Sequence, residues 1–321
     1  MIVHFKEDET WSCREWADDV TGIAIDSNDR VYALQRDGIA VTVLDRSGRV
    51  LDEWTNEVLS ARPHLISVGA DNLIRIADDG GHRALIFDRE GQLIDTIGTG
   101  KAAATITTDP GASSEAVLEG LRPGPPFNRP TKFVAGPAGD QFVSDGYRNS
   151  RIHRFTARGD LISSWGRPGS GAGEFRIPHA ITADRSGRLA VCDRENDRIQ
   201  FFDPQGHVLD IWNDIRRPTD VAFDDSGLAY VTELERGPLD TKSWRHGRAT
   251  ATLSARVSVR DTDGSMLARI TPATDEFLAP HSIAVDSHGD VYVTEVPESF
   301  CSSTGRRFSP RRCLRRFTRI H

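Results

Sequence analysis

Residues 178–193 read PHAITADRSGRLAVCD. A short apolar run leads into a polar turn with glycine, then a second β-rich run that ends on an acid. That pattern is the signature of a β-hairpin. It recurs as TGIAIDSNDRVYAL from Thr21, PHLISVGADNLIRIAD from Pro63 and PTKFVAGPAGDQFVSD from Pro130. It recurs again as PTDVAFDDSGLAYVTE from Pro218 and PHSIAVDSHGDVYVTE from Pro280. Most copies are followed by another pair of alternating runs, such as RIHRFTARGDLISSWG after SDGYRNS and RIQFFDPQGHVLDIW after CDREND. Four strands per unit and six units predict an all-β chain. The expected fold is a six-bladed β-propeller, with four-stranded antiparallel blades around a central channel.

In this register the whole chain, 1–321, reads as one propeller domain with blades starting near residues 21, 63, 130, 178, 218 and 280. The last blade lacks an obvious fourth strand. The N-terminal VHFKEDETW is expected to supply it, because ring closure removes exposed sheet edges. Insertions at 99–126, 236–253 and 297–311 break the repeat. Long loops in a compact domain either serve function or decorate it, and these are expected to crowd one face. Only SSEAVLEGL, residues 113–121, has helical character.

Composition excludes several classes. The net charge of −7 argues against general nucleic-acid binding. The basic stretch at 306–319 alternates as a strand does, which points its arginines at solvent. No apolar run approaches the roughly 20 residues needed to cross a bilayer, so no membrane partner is expected. The N-terminus shows no basic region followed by a long apolar run, and a cytoplasmic protein is expected. The four cysteines form no CxxC pair, which argues against a thiolate metal site.

Propeller blades line the channel with their first strands, so equivalent repeat positions form a ring. Pro-His opens three first strands and places His64, His179 and His281 in blades two, four and six. Thr131 and Thr219 hold that position in blades three and five, and the alignment gives Gly22 in blade one. Alternate blades of a six-fold ring lie about 120° apart. Three imidazoles would then face one another and offer one face of a metal's coordination sphere, zinc being the expected ion for an all-histidine set. The alternative is that Pro-His is repeat consensus and each ring packs locally.

The stretches SDGYRNSRIHRF, residues 144–155, PHAITAD and CDRENDRIQFFD, residues 192–203, resemble the peptidyl-α-hydroxyglycine α-amidating lyase family. That family is built on an NHL-type six-bladed propeller and converts a C-terminal α-hydroxyglycine into a peptide amide and glyoxylate. The resemblance implies a zinc held by His64, His179 and His281. It also implies a catalytic tyrosine at Tyr147 and substrate-site arginines at Arg194 and Arg36. A structural calcium would take backbone carbonyls at Ile23 and Ile66. A small-molecule or peptide-terminal substrate is the partner so implied.

The chemistry agrees with those roles. A hemiaminal collapses to an amide and an aldehyde once its hydroxyl loses a proton. A metal acidifies that hydroxyl, a base within hydrogen-bond reach takes the proton, and a guanidinium clamps a carboxylate. Each residue also has a structural alternative. Tyr147 could pack a blade edge, Arg194 could pair with Asp193 or Glu195, and Arg36 could serve a turn.

The chain departs from the family at Ala279, where methionine is usual, and at Ser282, where aspartate ligates calcium. Calcium prefers carboxylate oxygens, so Ser282 weakens the expected site. Asn128 and Arg148 stand where animal members carry a disulfide, which suits a non-secreted, bacterial-type protein. Glu233, Glu235 and Glu295 could add acids to the site. Equivalent acids at Asp78, Asp145 and Asp193 instead suggest a repeated turn-capping device. The competing functions are a metallohydrolase or another metal-dependent lyase acting on a different small substrate with the same three histidines, and a non-catalytic NHL binding module.

Overall fold

The computed structural model describes residues 3–11, 16, 19–36, 38–55, 57–101, 127–237, 251–309 and 311–320. It contains six four-stranded antiparallel sheets. Blade one runs β2(Val20–Ile25), β3(Val31–Gln35), β4(Val41–Leu44) and β5(Val50–Trp54). Blade two runs β6(Pro63–Val68), β7(Ile74–Asp78), β8(Arg83–Phe87) and β9(Leu93–Ile97). Blade three runs β10(Lys132–Ala135), β11(Gln141–Asp145), β12(Arg151–Phe155) and β13(Leu161–Trp165). Blade four runs β14(Pro178–Ala183), β15(Leu189–Asp193), β16(Arg198–Phe202) and β17(Val208–Trp212). Blade five runs β18(Pro218–Phe223), β19(Ala229–Glu233), β20(Arg256–Arg260) and β21(Met266–Ile270). Blade six combines β22(Pro280–Val285), β23(Val291–Glu295) and β24(Leu314–Ile320) with β1(His4–Glu7), which pairs with β24 from the other end of the chain.

The chain is thus a six-bladed propeller, as the repeat predicts. Its apolar core is divided among the blade interfaces. Ile76 and Leu85 meet Leu34 and Val43 between blades two and one, for example, and Ile181 and Val191 meet Val134 and Phe142 between blades four and three. Each such side chain, fully buried, stabilises by roughly 1.5–3 kcal/mol. The outermost strands alternate toward solvent and leave Ile94, Ile162 and Leu209 exposed. No helix among the described residues is long and apolar enough to cross a membrane.

The acids at the ends of the second strands are structural. Asp193 accepts the Arg176 N–H at 2.7 Å and the Arg198 Nε–H at 2.7 Å. Glu233 does the same with the Arg216 N–H at 2.7 Å and the Arg256 Nε–H at 2.8 Å. Glu295 takes the Leu278 N–H at 2.7 Å and lies 3.4 Å from the Arg315 Nε. Arg315 is buried, against the expectation that the arginines of 306–319 face solvent, because Glu7 and Glu295 pair with it inside the blade. Asp78 and Asp145 hold Ser60 and Asn128 in the corresponding way. Each fully buried carboxylate pins the loop that enters its blade to the third strand. Glu235 lies beyond β19 and pairs with Arg306.

The outer hairpins latch neighbouring blades. In blade four, Asp203 Oδ1 accepts the N–H groups of Gln205 and His207, each at 2.9 Å. The chain then turns through Gly206 at φ +92°. The Trp165 indole of blade three lies against that turn, and a Cβ at 206 would sit 2.7 Å from its ring. Trp54 with Gly91, and Trp212 with Gly264, repeat the arrangement. The strain at positive φ and the overlap act together. Gly206→Ala is expected to lower unfolding stability by about 1–3 kcal/mol. Urea denaturation checks this, and an unchanged midpoint would contradict the latch.

Candidate metal centre and cleft

The first strands place the histidines by a shared irregularity. Pro178 pairs with Asp193 and Ala180 with Cys192, so His179 is an extra residue in a β-bulge. Bulges occur at Pro63/Ile66, Pro280/Ser282, Pro218/Asp220 and Val20/Gly22 as well. A bulge re-aims its extra side chain, and proline suits the first position because it lacks a donor. In blade one the bulged residue is Thr21. This corrects the alignment that assigned Gly22 to the ring, an error that arose because blade one has no proline to mark the register. The ring therefore alternates strictly between threonine and histidine.

Hydrogen bonds run around it. The Nδ1 of His64 lies 2.7 Å from the Thr131 carbonyl, that of His179 2.7 Å from Thr219, and that of His281 2.6 Å from Thr21. A carbonyl only accepts, so each Nδ1 carries the proton and each Nε2 keeps its lone pair. The Thr131 and Thr219 hydroxyls donate in turn to the carbonyls of Pro178 and Pro280, each at 2.9 Å. The three imidazole centroids lie 4.7–4.9 Å apart, and their ligand nitrogens all fall within 4.8 Å of one another.

All three rings are buried. Burial is the main force holding His64 and His179 well below the ordinary histidine pKa. The neighbouring imidazoles and the charges of Arg36 and Arg194 add to it. His281 is pushed down to about 3, again chiefly by burial and then by Arg36. Neutral imidazoles with a fixed tautomer are the form that binds a metal, so this donor set fits zinc.

Tyr147 stands over the ring. Its hydroxyl donates to the His64 Nε2 at 2.9 Å and lies 3.3 Å from the His179 Nε2. Gly146 allows this approach, since a Cβ there would collide with the Pro178 carbonyl. Arg194, in a 3-10 turn at Arg194–Asn196, sets its guanidinium 5.7 Å from the Tyr147 ring centroid. It also pairs with Glu195 at 2.8 Å, so the structural pairing and the site position coexist. Arg36 follows β3 and reaches Asp19, at 3.4 Å, and Ser299.

These groups line a cleft of about 660 Å³ that holds Arg36, Arg62, Arg129, Arg194 and Arg217 beside Tyr147 and His281. Arg62 and Arg129 share the single carboxylate of Asp79, and Arg194 and Arg217 share that of Glu195. Each trio is left net positive.

One wall of the cleft is α1(Pro297–Thr304), inside the insertion at 297–311. Asp19 caps it from outside, taking the Glu298 N–H at 2.9 Å and the Ser299 N–H at 3.1 Å. The reading of one helical stretch missed this helix, although Pro297 at its first turn and Gly305 at its end are the expected start and stop residues. The stretch at 113–121 that was read as helical lies outside the described residues, as do most of the insertions at 99–126 and 236–253.

The calcium expected at Ile23 and Ile66 does not fit. Ser282 Oγ donates to Asp220 Oδ2 at 2.8 Å and accepts the Ile23 N–H at 3.2 Å. The Lys132 ammonium already lies on Asp220.

The metal-free histidines set a pH dependence. Their folded pKa values lie below the unfolded value of about 6.5, so unfolding takes up protons as pH falls from about 6.5 toward 3. Stability is present above that window and lost within it. Replacing His281 with Gln is expected to cut the slope of stability against pH there by about one proton. Urea titrations of the metal-free protein check this, and an unchanged slope would contradict a neutral buried His281.

A model of the NHL repeat matches residues 175–202. Peptidyl-glycine alpha-amidating monooxygenase A of Xenopus laevis is 27% identical over 333 residues, covering 91% of this chain and 32% of that protein. The chain thus spans about a third of that relative's length. Peptidyl-alpha-hydroxyglycine alpha-amidating lyase 1 of Drosophila melanogaster is 30% identical over 176 residues, covering 52% of this chain and 30% of that protein. NHL repeat-containing protein 3 of Mus musculus is 30% identical over 290 residues, covering 85% of this chain and 76% of that protein. With the propeller, the repeat match and that coverage together, the chain belongs to the family of NHL repeat-containing proteins.

Proposed function

We propose that this protein is a zinc-dependent lyase that cleaves N-acyl-α-hydroxyglycines, small or at a peptide C-terminus, to an amide and glyoxylate. One observation carries the reading. Three neutral imidazoles with inward lone pairs meet the Tyr147 hydroxyl at the base of an arginine-lined cleft. Relatives that include a protein named as an amidating lyase support it.

A zinc ion held by His64, His179 and His281 would supply a Lewis acid that makes a bound hydroxyl more acidic. The remaining work falls to this chain's own side chains. Arg36 and Arg194 face the cleft and offer planar forks for the substrate carboxylate. Asp19 and Glu195 brace those forks. In its ionised form, with its own proton given up to solvent, Tyr147 sits where it can take the proton from the substrate hydroxyl. As that O–H electron pair forms the aldehyde C=O, the C–N bond breaks, and the proton passes to the departing amide nitrogen. Atoms balance without water, which distinguishes this route from hydrolysis.

Purified protein is expected to carry about one zinc per chain and to release glyoxylate from N-acyl-α-hydroxyglycine. His179→Ala should lose the metal. Tyr147→Phe should keep it while kcat falls by roughly 10²–10⁴-fold, the span of general base catalysis. Elemental analysis and a glyoxylate assay read these outcomes. Zinc-loaded protein without glyoxylate release would overturn the substrate, and undiminished turnover in Tyr147→Phe would overturn the base.

A further inference from the structure

We propose that the Lys132 ammonium is the structural cation of this propeller, standing where a bound divalent ion would otherwise tie the blades together, so that the fold needs no calcium. Lys132, Asp220 and Ser282 each follow a ring residue directly: Thr131, Thr219 and His281. They therefore form the layer beneath the histidines.

The side chain of Lys132 is 7% exposed and that of Asp220 is fully buried. The ammonium pairs with Asp220 Oδ1 and donates to Thr182 Oγ1 at 3.1 Å. Asp220 Oδ2 accepts from Ser282 Oγ at 2.8 Å, and Ser282 Oγ accepts the Ile23 N–H at 3.2 Å. This one network joins blades three, four, five, six and one. Blade two supplies Leu65, which shares a buried apolar cluster with Ala180 and Val221.

Ile23 and Ile66 line the same cavity as Lys132 and Thr182. Their carbonyls are the oxygens a calcium would need. A divalent ion there would join the ammonium and set three positive charges against one carboxylate in a buried channel. Burying uncompensated charge is strongly unfavourable, and calcium sites are built from several anionic or carbonyl oxygens. The lysine satisfies Asp220 with one charge and leaves the pair neutral. Ser282, in place of a second acid, keeps that balance.

The test is a calcium assay and thermal unfolding of the full chain, with and without millimolar calcium chloride. The wild-type protein is expected to retain far less than one calcium per chain, whatever its zinc content, and to melt at the same temperature in both buffers. Lys132→Met should lower Tm by on the order of 5–10 °C, because Asp220 is left buried and unpaired. The double variant Lys132→Ala, Ser282→Asp should bind calcium and melt higher when it is present. Near-stoichiometric calcium in the wild type, or a Tm that climbs with calcium, would overturn the proposal. So would a Lys132→Met protein as stable as the wild type. If a variant fails to fold, the wild-type comparison still decides.

Discussion

Everything at the channel's centre depends on the bond from each histidine Nδ1–H to the carbonyl of the threonine in the next blade. These bonds, at 2.6–2.7 Å, join blade two to three, four to five and six to one. They use the one nitrogen that faces outward, and so dictate that the other faces its partners. Two threonine hydroxyls carry the chain of bonds onward to the next blade's proline carbonyl. A device that holds blades together thus also prepares three lone pairs for one ion. Burial then keeps the rings neutral, because a charged imidazole there would lose its hydration.

Layers above and below serve that ring differently. Above it, Tyr147 and the arginines form a cleft with excess positive charge, suited to an anionic substrate. Below it, Lys132, Asp220 and Ser282 form a neutral network with its hydrogen bonds used within the protein. The ring of threonines and histidines lies between the two sets of charges. The proposed chemistry and the buried ion pair are therefore stacked along the axis without sharing a residue.

The blades and the three histidines were legible in the sequence because repetition supplies long-range information. Residues at one repeat position must meet around the axis, whatever their separation along the chain. Blade one was misread by a single residue, since Val20 replaces the proline that marks the bulge elsewhere. Contacts outside the repeat were not legible. Asp19 caps a helix 279 positions away, and no periodicity announces such a pair. The helix itself is too short to show an amphipathic pattern. Lys132 and Asp220 did leave a trace: opposite charges at the same repeat position of two otherwise apolar strands, which the structure brings together as a buried pair.

The most direct measurement is anomalous diffraction at the zinc absorption edge from crystals of the zinc-loaded protein. The account predicts one peak on the propeller axis, about 2.0–2.1 Å from the Nε2 atoms of His64, His179 and His281, beneath the Tyr147 hydroxyl. Zinc bound elsewhere with no peak between these imidazoles would contradict it.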